Sequence, residues 1–210
     1  MVAADRAPVS QGVKVELPIL HLASASPRRR EILASLGVQF SFSGVDIDES
    51  RAPGESVTDM VLRLAAEKAE AASVGGLPVL GADTVVALDE RDFGKPRSKE
   101  DALLMLRTLS GRQHRVLTAV AMLYSGNLET VLSETEVKFR DIDPDEAEAY
   151  WQSGEPEGKA GSYAIQGLGG IFVESLHGSY SGVVGLPVYE TVNLLRKAGI
   201  DVLSMRTQHD

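Results

Sequence analysis

The chain has 210 residues, a formal net charge of −9 and no cysteine. Disulfides, thiolate metal sites and a cysteine nucleophile are excluded by composition, and the acidic balance argues against general affinity for nucleic acid, which depends on releasing counterions through a basic surface. A hydrophobic fraction of 43%, with no apolar run near the roughly twenty residues that span a bilayer, describes an ordinary globular protein, expected in the cytoplasm and without a membrane partner.

Residues 1–17, "MVAADRAPVSQGVKVEL", lack the apolar segment of a secretory signal and read as a flexible N-terminal extension to a single domain over 18–210. "PILHLA" predicts a short buried strand, after which Ser26 and Pro27 form an N-cap and first helical position. That helix should stop at Gly37. "VQFSFSG" alternates as a strand, and the acidic loop "VDIDESRAPGES" ends at Ser56, which with Asp59 makes a capping-box-like start. Val57, Met60, Val61, Leu64, Ala65, Ala69 and Ala72 then fall on one helical face. "VLGADTVVALD" reads as a strand buried on both sides. "GKPRSKEDALLMLRTLSG" predicts a loop and a helix, started by Ser98 and Asp101 and stopped by Gly111, before a long hairpin turning around Ser125, Gly126 and Asn127. A polar helix should begin near Pro144. The glycine-rich stretch beyond it holds a short strand, "GIFVES", and "LPVYETVNLLRKAG" supplies a final amphipathic helix. Strands and helices alternate early and hairpins come late, so the fold class is α/β: a mixed central β-sheet flanked by helices, with two lobes around a cleft.

Three stretches can carry chemistry. In "ASASPRR" a strand runs through small residues into a helix start, where unpaired N–H groups and the macrodipole attract an anion. Ser24 and Ser26 add hydroxyls, and Arg28 and Arg29 add planar donors suited to phosphate, whereas Arg30 is left to solvent. In "GADTVV", Asp83 is a carboxylate in an apolar strand and must be desolvated, paired or metal-bound. It could hold Mg²⁺ or take a proton from water, and Gly81 beside it permits close backbone approach. The acidic loop offers Asp46, Asp48 and Glu49, oxygen donors of the kind Mg²⁺ or Mn²⁺ prefers, while Lys68 and Lys95 could reach a phosphate. There is no G-x-S-x-G elbow and no metalloprotease spacing among the histidines, and "GEPEGKA" is too short for a P-loop and has Ala160 where Ser or Thr belongs.

Together, "LASASPRRREIL", "GADTVV", "GKPRSKEDALLMLRTLSGRQHRVLTAV" and "KAGSYAIQGLGGIFVESLHGSYSGVVGLP" resemble the Maf family of nucleotide pyrophosphatases, also called septum-formation-like proteins, from about Leu20 to Arg196. The resemblance implies a fold similar to that of inosine triphosphate pyrophosphatases, frequent homodimers, and hydrolysis of a nucleoside triphosphate to monophosphate and pyrophosphate with a divalent metal cation. It implies substrate-binding positions at Ser24, Arg29, Lys68 and Lys95, metal positions at Glu49 and Asp83, and a proton acceptor at Asp83. Arg28, Thr84 and Gln166 match the positions tied to choice of base, in the combination of the dTTP/UTP branch, with modified uridine triphosphates as a wider substrate set. The family name also suggests an alternative: a nucleotide-binding regulator of cell division without turnover.

Overall fold

The computed structural model describes residues 17–72 and 75–206, so the anticipated N-terminal extension lies, Leu17 apart, outside the described residues. In chain order the elements are β1 (Leu20–Leu22), α1 (Pro27–Ser35), β2 (Phe40–Phe42), α2 (Val57–Ala71), β3 (Val79–Leu88), β4 (Arg91–Phe93), α3 (Lys99–Leu109), β5 (Gln113–Tyr124), β6 (Asn127–Phe139), α4 (Pro144–Gln152), β7 (Val173–His177), α5 (Tyr180–Val184), α6 (Val188–Lys197) and α7 (Val202–Arg206). Most start where a side chain can satisfy the first helical N–H groups: the Ser56 and Ser98 hydroxyls accept from Asp59 N and Asp101 N, and Asp143 with Glu146 completes a capping box on α4. The β5–β6 turn uses Ser125 and Gly126, both at positive φ, so Tyr124 pairs directly with Asn127.

One mixed sheet runs β2-β1-β3-β5-β6-β7, with β4 also paired to β3. β1 lies parallel to β2 and β3; the remaining pairings are antiparallel. β5 fills one edge of β3 from Val79 to Ala87. The other edge is shared: β1 takes Val79 and Leu80, and β4 takes Val86 to Leu88. Between them, residues 81–85 have no strand partner on that side, and that edge of β3 is split.

The pleat of β3 sends alternate residues to opposite faces. Val79, Val85 and Ala87 pack against the α2 stripe predicted from spacing, all seven residues of which are buried. Leu80 and Ala82 join α1 and α6 on the other face, and Val86 and Leu88 join α3 and α4 further along it. The anticipated lobes are therefore two helical groups on one continuous sheet, one at each end of β3.

Four features differ from the expectations. "GIFVES" does not start as a strand: 168–172 coil as a 3₁₀ segment and β7 begins only at Val173, because Gly169 packs beneath the Tyr150 hydroxyl where a Cβ would lie 2.5 Å away. α6 is not final, since α7 follows. β4 and α5, of three and five residues, are too short to show periodicity. Gly81 does permit close approach, but by a helix: a Cβ there would meet Ala65 O at 2.3 Å and Ala69 N at 2.7 Å.

Candidate active site

At the split edge opens a cleft of about 780 Å³, lined by Ser24, Arg28, Arg29, Glu49, Lys68, Asp83, Thr84, Lys95 and Gln166 among others. β1 ends in its wall, so the 24–28 segment and the α1 N-terminus face it. Ser26 has the extended backbone of an N-cap, but its side chain makes no capping bond, which leaves the first-turn N–H groups without a side-chain acceptor.

Asp83 and Thr84 are neighbours on β3 whose side chains point to opposite faces, and each face organises its own cluster. On the α2 face, the Lys68 ammonium donates to Glu49 Oε1 at 2.6 Å and to Asp83 Oδ1 at 2.7 Å. Lys68 is on the buried stripe of α2, and the tight α2–β3 contact at Gly81 brings it within reach of Asp83. Glu49 arrives on the acidic loop and is also 3.6 Å from Lys95. Burial raises the Glu49 pKa, but hydrogen bonding and charge from Lys68, then Lys95, outweigh it, and the carboxyl lies below its ordinary value.

On the opposite face, Arg29 is locked by three hydrogen bonds: Nε to Gly185 O (2.8 Å), Nη1 to Ser24 Oγ (3.3 Å) and Nη2 to Thr84 Oγ1 (3.0 Å). Thr118 Oγ1 lies 2.8 Å from Gly182 O and 3.0 Å from Thr84 Oγ1. A carbonyl only accepts, so Thr118 gives its proton to Gly182 and takes one from Thr84, while Thr84 accepts from Arg29. The polarity of this relay is fixed by its end, and it holds the guanidinium with N–H groups to spare for an anion. Burial and then Arg28 lower the Arg29 pKa against the opposing pull of Asp83 and Glu49, yet guanidinium remains charged at any physiological pH.

The consecutive arginines thus separate. Arg29 crosses to Thr84; Arg28 lines the cleft, its pKa lowered by burial and partly restored by Glu31 and Glu155. Arg30 stands apart from the cleft lining and, rather than simply facing solvent, stacks 4.3 Å from the Phe42 ring. Of the three acidic candidates in that loop, Glu49 lines the cleft and the other two do not. Asp46 is outside its lining, and Asp48 is turned onto Ser50, whose N and Oγ both donate to Oδ1 at 2.9 and 2.5 Å.

Sequence reasoning missed Lys159, Tyr163 and Thr118. Lys159 lines the cleft and donates to Glu157 O at 2.9 Å; burial and Arg28 lower its pKa. It stands in "GEPEGKA", whose lysine carries no signal once the P-loop pattern fails. Tyr163 lines the cleft with its hydroxyl 2.9 Å from His114 Nε2. Thr118 carried a signal: it is a polar residue inside an apolar strand, as Asp83 is.

Among the described residues no cluster of three or more His, Asp or Glu could by itself hold a metal ion. Glu49 and Asp83 supply two hard carboxylates, a set that fits a magnesium-class ion when substrate phosphate oxygens complete the shell.

A sequence profile of the Maf-like protein family matches residues 19–198. A protein named dTTP/UTP pyrophosphatase from Pseudoalteromonas atlantica is 48% identical over 188 residues, 87% of this chain and 98% of its own. Another of that name from Vibrio parahaemolyticus is 50% identical over 181 residues, 85% of this chain and 96% of its own. Among solved structures, the Staphylococcus aureus Ham1 protein overlaps 57% of this chain and 71% of its own at 12% identity, with a TM-score of 0.42.

Proposed function

The chain belongs to the Maf-like protein family, and we propose that it hydrolyses dTTP and UTP between the α and β phosphates, releasing nucleoside monophosphate and pyrophosphate. The observation that supports this reading is the pairing of cations and carboxylates at the split edge of β3, with Lys68 held between Glu49 and Asp83 and Arg29 braced on the opposite face. A pure phosphate binder gains little from carboxylates facing a polyanion; a hydrolase that must hold a cation and orient water needs them.

In this reading Ser24, Arg29, Lys68 and Lys95 bind phosphate oxygens and offset their charge. Asp83 has Oδ1 tied to Lys68, so Oδ2, with no hydrogen-bond donor among the described residues, is the atom that orients and deprotonates the attacking water. Glu49 and Asp83 would hold a divalent cation such as Mg²⁺ or Mn²⁺ together with the substrate; when bound, it polarises the phosphates and neutralises developing charge. Gln166 pairs its amide with the O4 and N3–H edge shared by thymine and uracil, beside Arg28 and Thr84. Cytosine reverses that donor–acceptor pattern, so CTP is a poor substrate, whereas modified uridines that keep the edge are accepted. The ligand is a free nucleotide and not nucleic acid, and we place the reaction in the cytoplasm; no helix among the described residues is long and apolar enough to cross a membrane.

The test is pyrophosphate release with Mg²⁺ or Mn²⁺ from dTTP, UTP, CTP, GTP and 7-methyl-GTP. Preference for dTTP and UTP, and loss of turnover in a folded Asp83→Asn variant, are expected. Equal rates across the panel refute the base assignment, and near-normal turnover by Asp83→Asn removes Asp83 from the chemistry.

A further inference from the structure

Gln166 lines the cleft, yet its amide makes no hydrogen bond to another described residue. Among the described residues no hydrogen bond fixes its direction, so the backbone turn that carries it matters. Within the 164–169 turn, one backbone bond, Gly167 N to Ala164 O at 3.1 Å, closes the loop. The remaining restraint comes from outside, from one carboxylate. Glu155 Oε1 accepts from the Tyr150 hydroxyl at 2.7 Å and from Gly169 N at 2.9 Å, and Oε2 accepts from Leu168 N at 3.0 Å. The same Tyr150 oxygen accepts from Ala164 N at 3.1 Å. Both ends of the turn are thus tied to Glu155, one directly and the other through Tyr150.

The glycines of "GLGG" record how closely these groups approach. A Cβ at Gly167 would lie 2.1 Å from Glu155 Oε2, and one at Gly169 would lie 2.5 Å from the Tyr150 hydroxyl. Charge ties the carboxylate to the other side of the same wall, since Arg28 and Lys159 are both held toward their charged forms by it. We infer that Glu155 is a positioning residue for base selection: its carboxylate, with Tyr150, clamps the turn that presents Gln166. This rests on the proposed reading of that end of the cleft as a pyrimidine site. An amide that must match a donor and an acceptor at once discriminates only while its direction is fixed.

Glu155→Gln tests it. The amide group keeps the shape but sets an N–H against one of three donors, leaving that donor unpaired. Because one lost hydrogen bond in the brace is worth about tenfold, kcat/KM for dTTP should fall about tenfold through KM, with kcat for dTTP within about twofold and CTP little affected. The dTTP-to-CTP preference therefore drops about tenfold. A proportional fall for both substrates, or a fall confined to kcat, overturns the inference and leaves Glu155 as a general loop brace. Tyr150→Phe removes one link of the clamp and keeps the carboxylate, so it answers the question even where Glu155→Gln does not fold: the preference should shift the same way by about threefold, and an unchanged preference overturns the inference. The wild-type preference is measured in the same assay; its absence refutes the pyrimidine reading itself, whereas its presence with unchanged variants refutes only the role of Glu155.

Discussion

Replacing Lys68 with Met keeps an apolar stem of similar length and removes an ammonium that lies 2.6 Å from Glu49 Oε1 and 2.7 Å from Asp83 Oδ1. In the wild type one cation answers two carboxylates; in the variant two anions face each other. The Asp83 side chain is only 13% exposed and cannot escape, whereas Glu49, at 47%, can swing into water. Breaking a buried ion pair from one side costs about 3–5 kcal/mol, and the mobility of Glu49 selects the lower end, about 3 kcal/mol. For a chain of this size that corresponds to a melting temperature about 6–12 °C lower. Urea denaturation of a double-mutant cycle isolates the cause, because Asp83→Asn in the Lys68→Met background removes the stranded charge and should recover about 2 kcal/mol. Acid should act in the same direction: in the wild type Lys68 holds the Glu49 carboxyl below its ordinary value of 4.5, a stabilisation the variant lacks, so as pH falls below 4.5 the wild type loses it and the deficit narrows. If the single substitutions simply add, with no recovery in the double variant and no narrowing in acid, Lys68 is not the counterion of this pair and the reasoning fails.

Arg29→Lys preserves charge but not the fork that serves Gly185, Ser24 and Thr84 together, so kcat/KM for dTTP should fall at least about tenfold; wild-type kinetics would show that charge alone suffices. Gly81→Ala places a Cβ 2.3 Å from Ala65 O and pushes away the helix that carries Lys68, costing about 1–3 kcal/mol in urea denaturation and lowering pyrophosphate release with it. His114, with its Nε2 on Tyr163 and its pKa pushed down to about 4 by burial, is neutral in the folded protein at pH 6; NMR titration should show no midpoint near the ordinary value. The unfolded chain takes up that proton first, so this residue's contribution to stability should be complete above about pH 6.5 and decline as pH falls toward about 4.

Much of the scaffold was legible because its signals are local. The α2 stripe follows from spacing, the hairpin turn from Ser125 and Gly126, and helix starts from Ser56, Ser98 and Pro144. Asp83 stood out since a carboxylate in an apolar strand always requires a partner. That the partner is Lys68, presented by a helix at the distance a glycine allows, depends on packing across the sheet. The split edge was equally hidden, being the result of two three-residue strands claiming opposite ends of β3 from sequence positions far apart. "GIFVES" misled for a related reason: its apolar residues suit a strand, but the 3₁₀ segment that begins at Leu168, where Glu155 accepts from Leu168 N and Gly169 N, runs on through its first half. The Thr84–Thr118 relay joins two strands in register, and neither threonine predicts the other.

An unpaired stretch inside a sheet would ordinarily invite a foreign strand, since a bare edge is a template for edge-to-edge aggregation. Here the bare edge covers only residues 81–85, and β1 and β4 close it at both ends. At about 3.3 Å per residue the opening is roughly 17 Å long, room for no more than one short strand of about five residues. A passing peptide could enter only end-on and would gain few backbone bonds, while a compact anion meets no such restriction. The two short strands that frame the cleft thus also limit how much bare backbone β3 offers to a foreign strand.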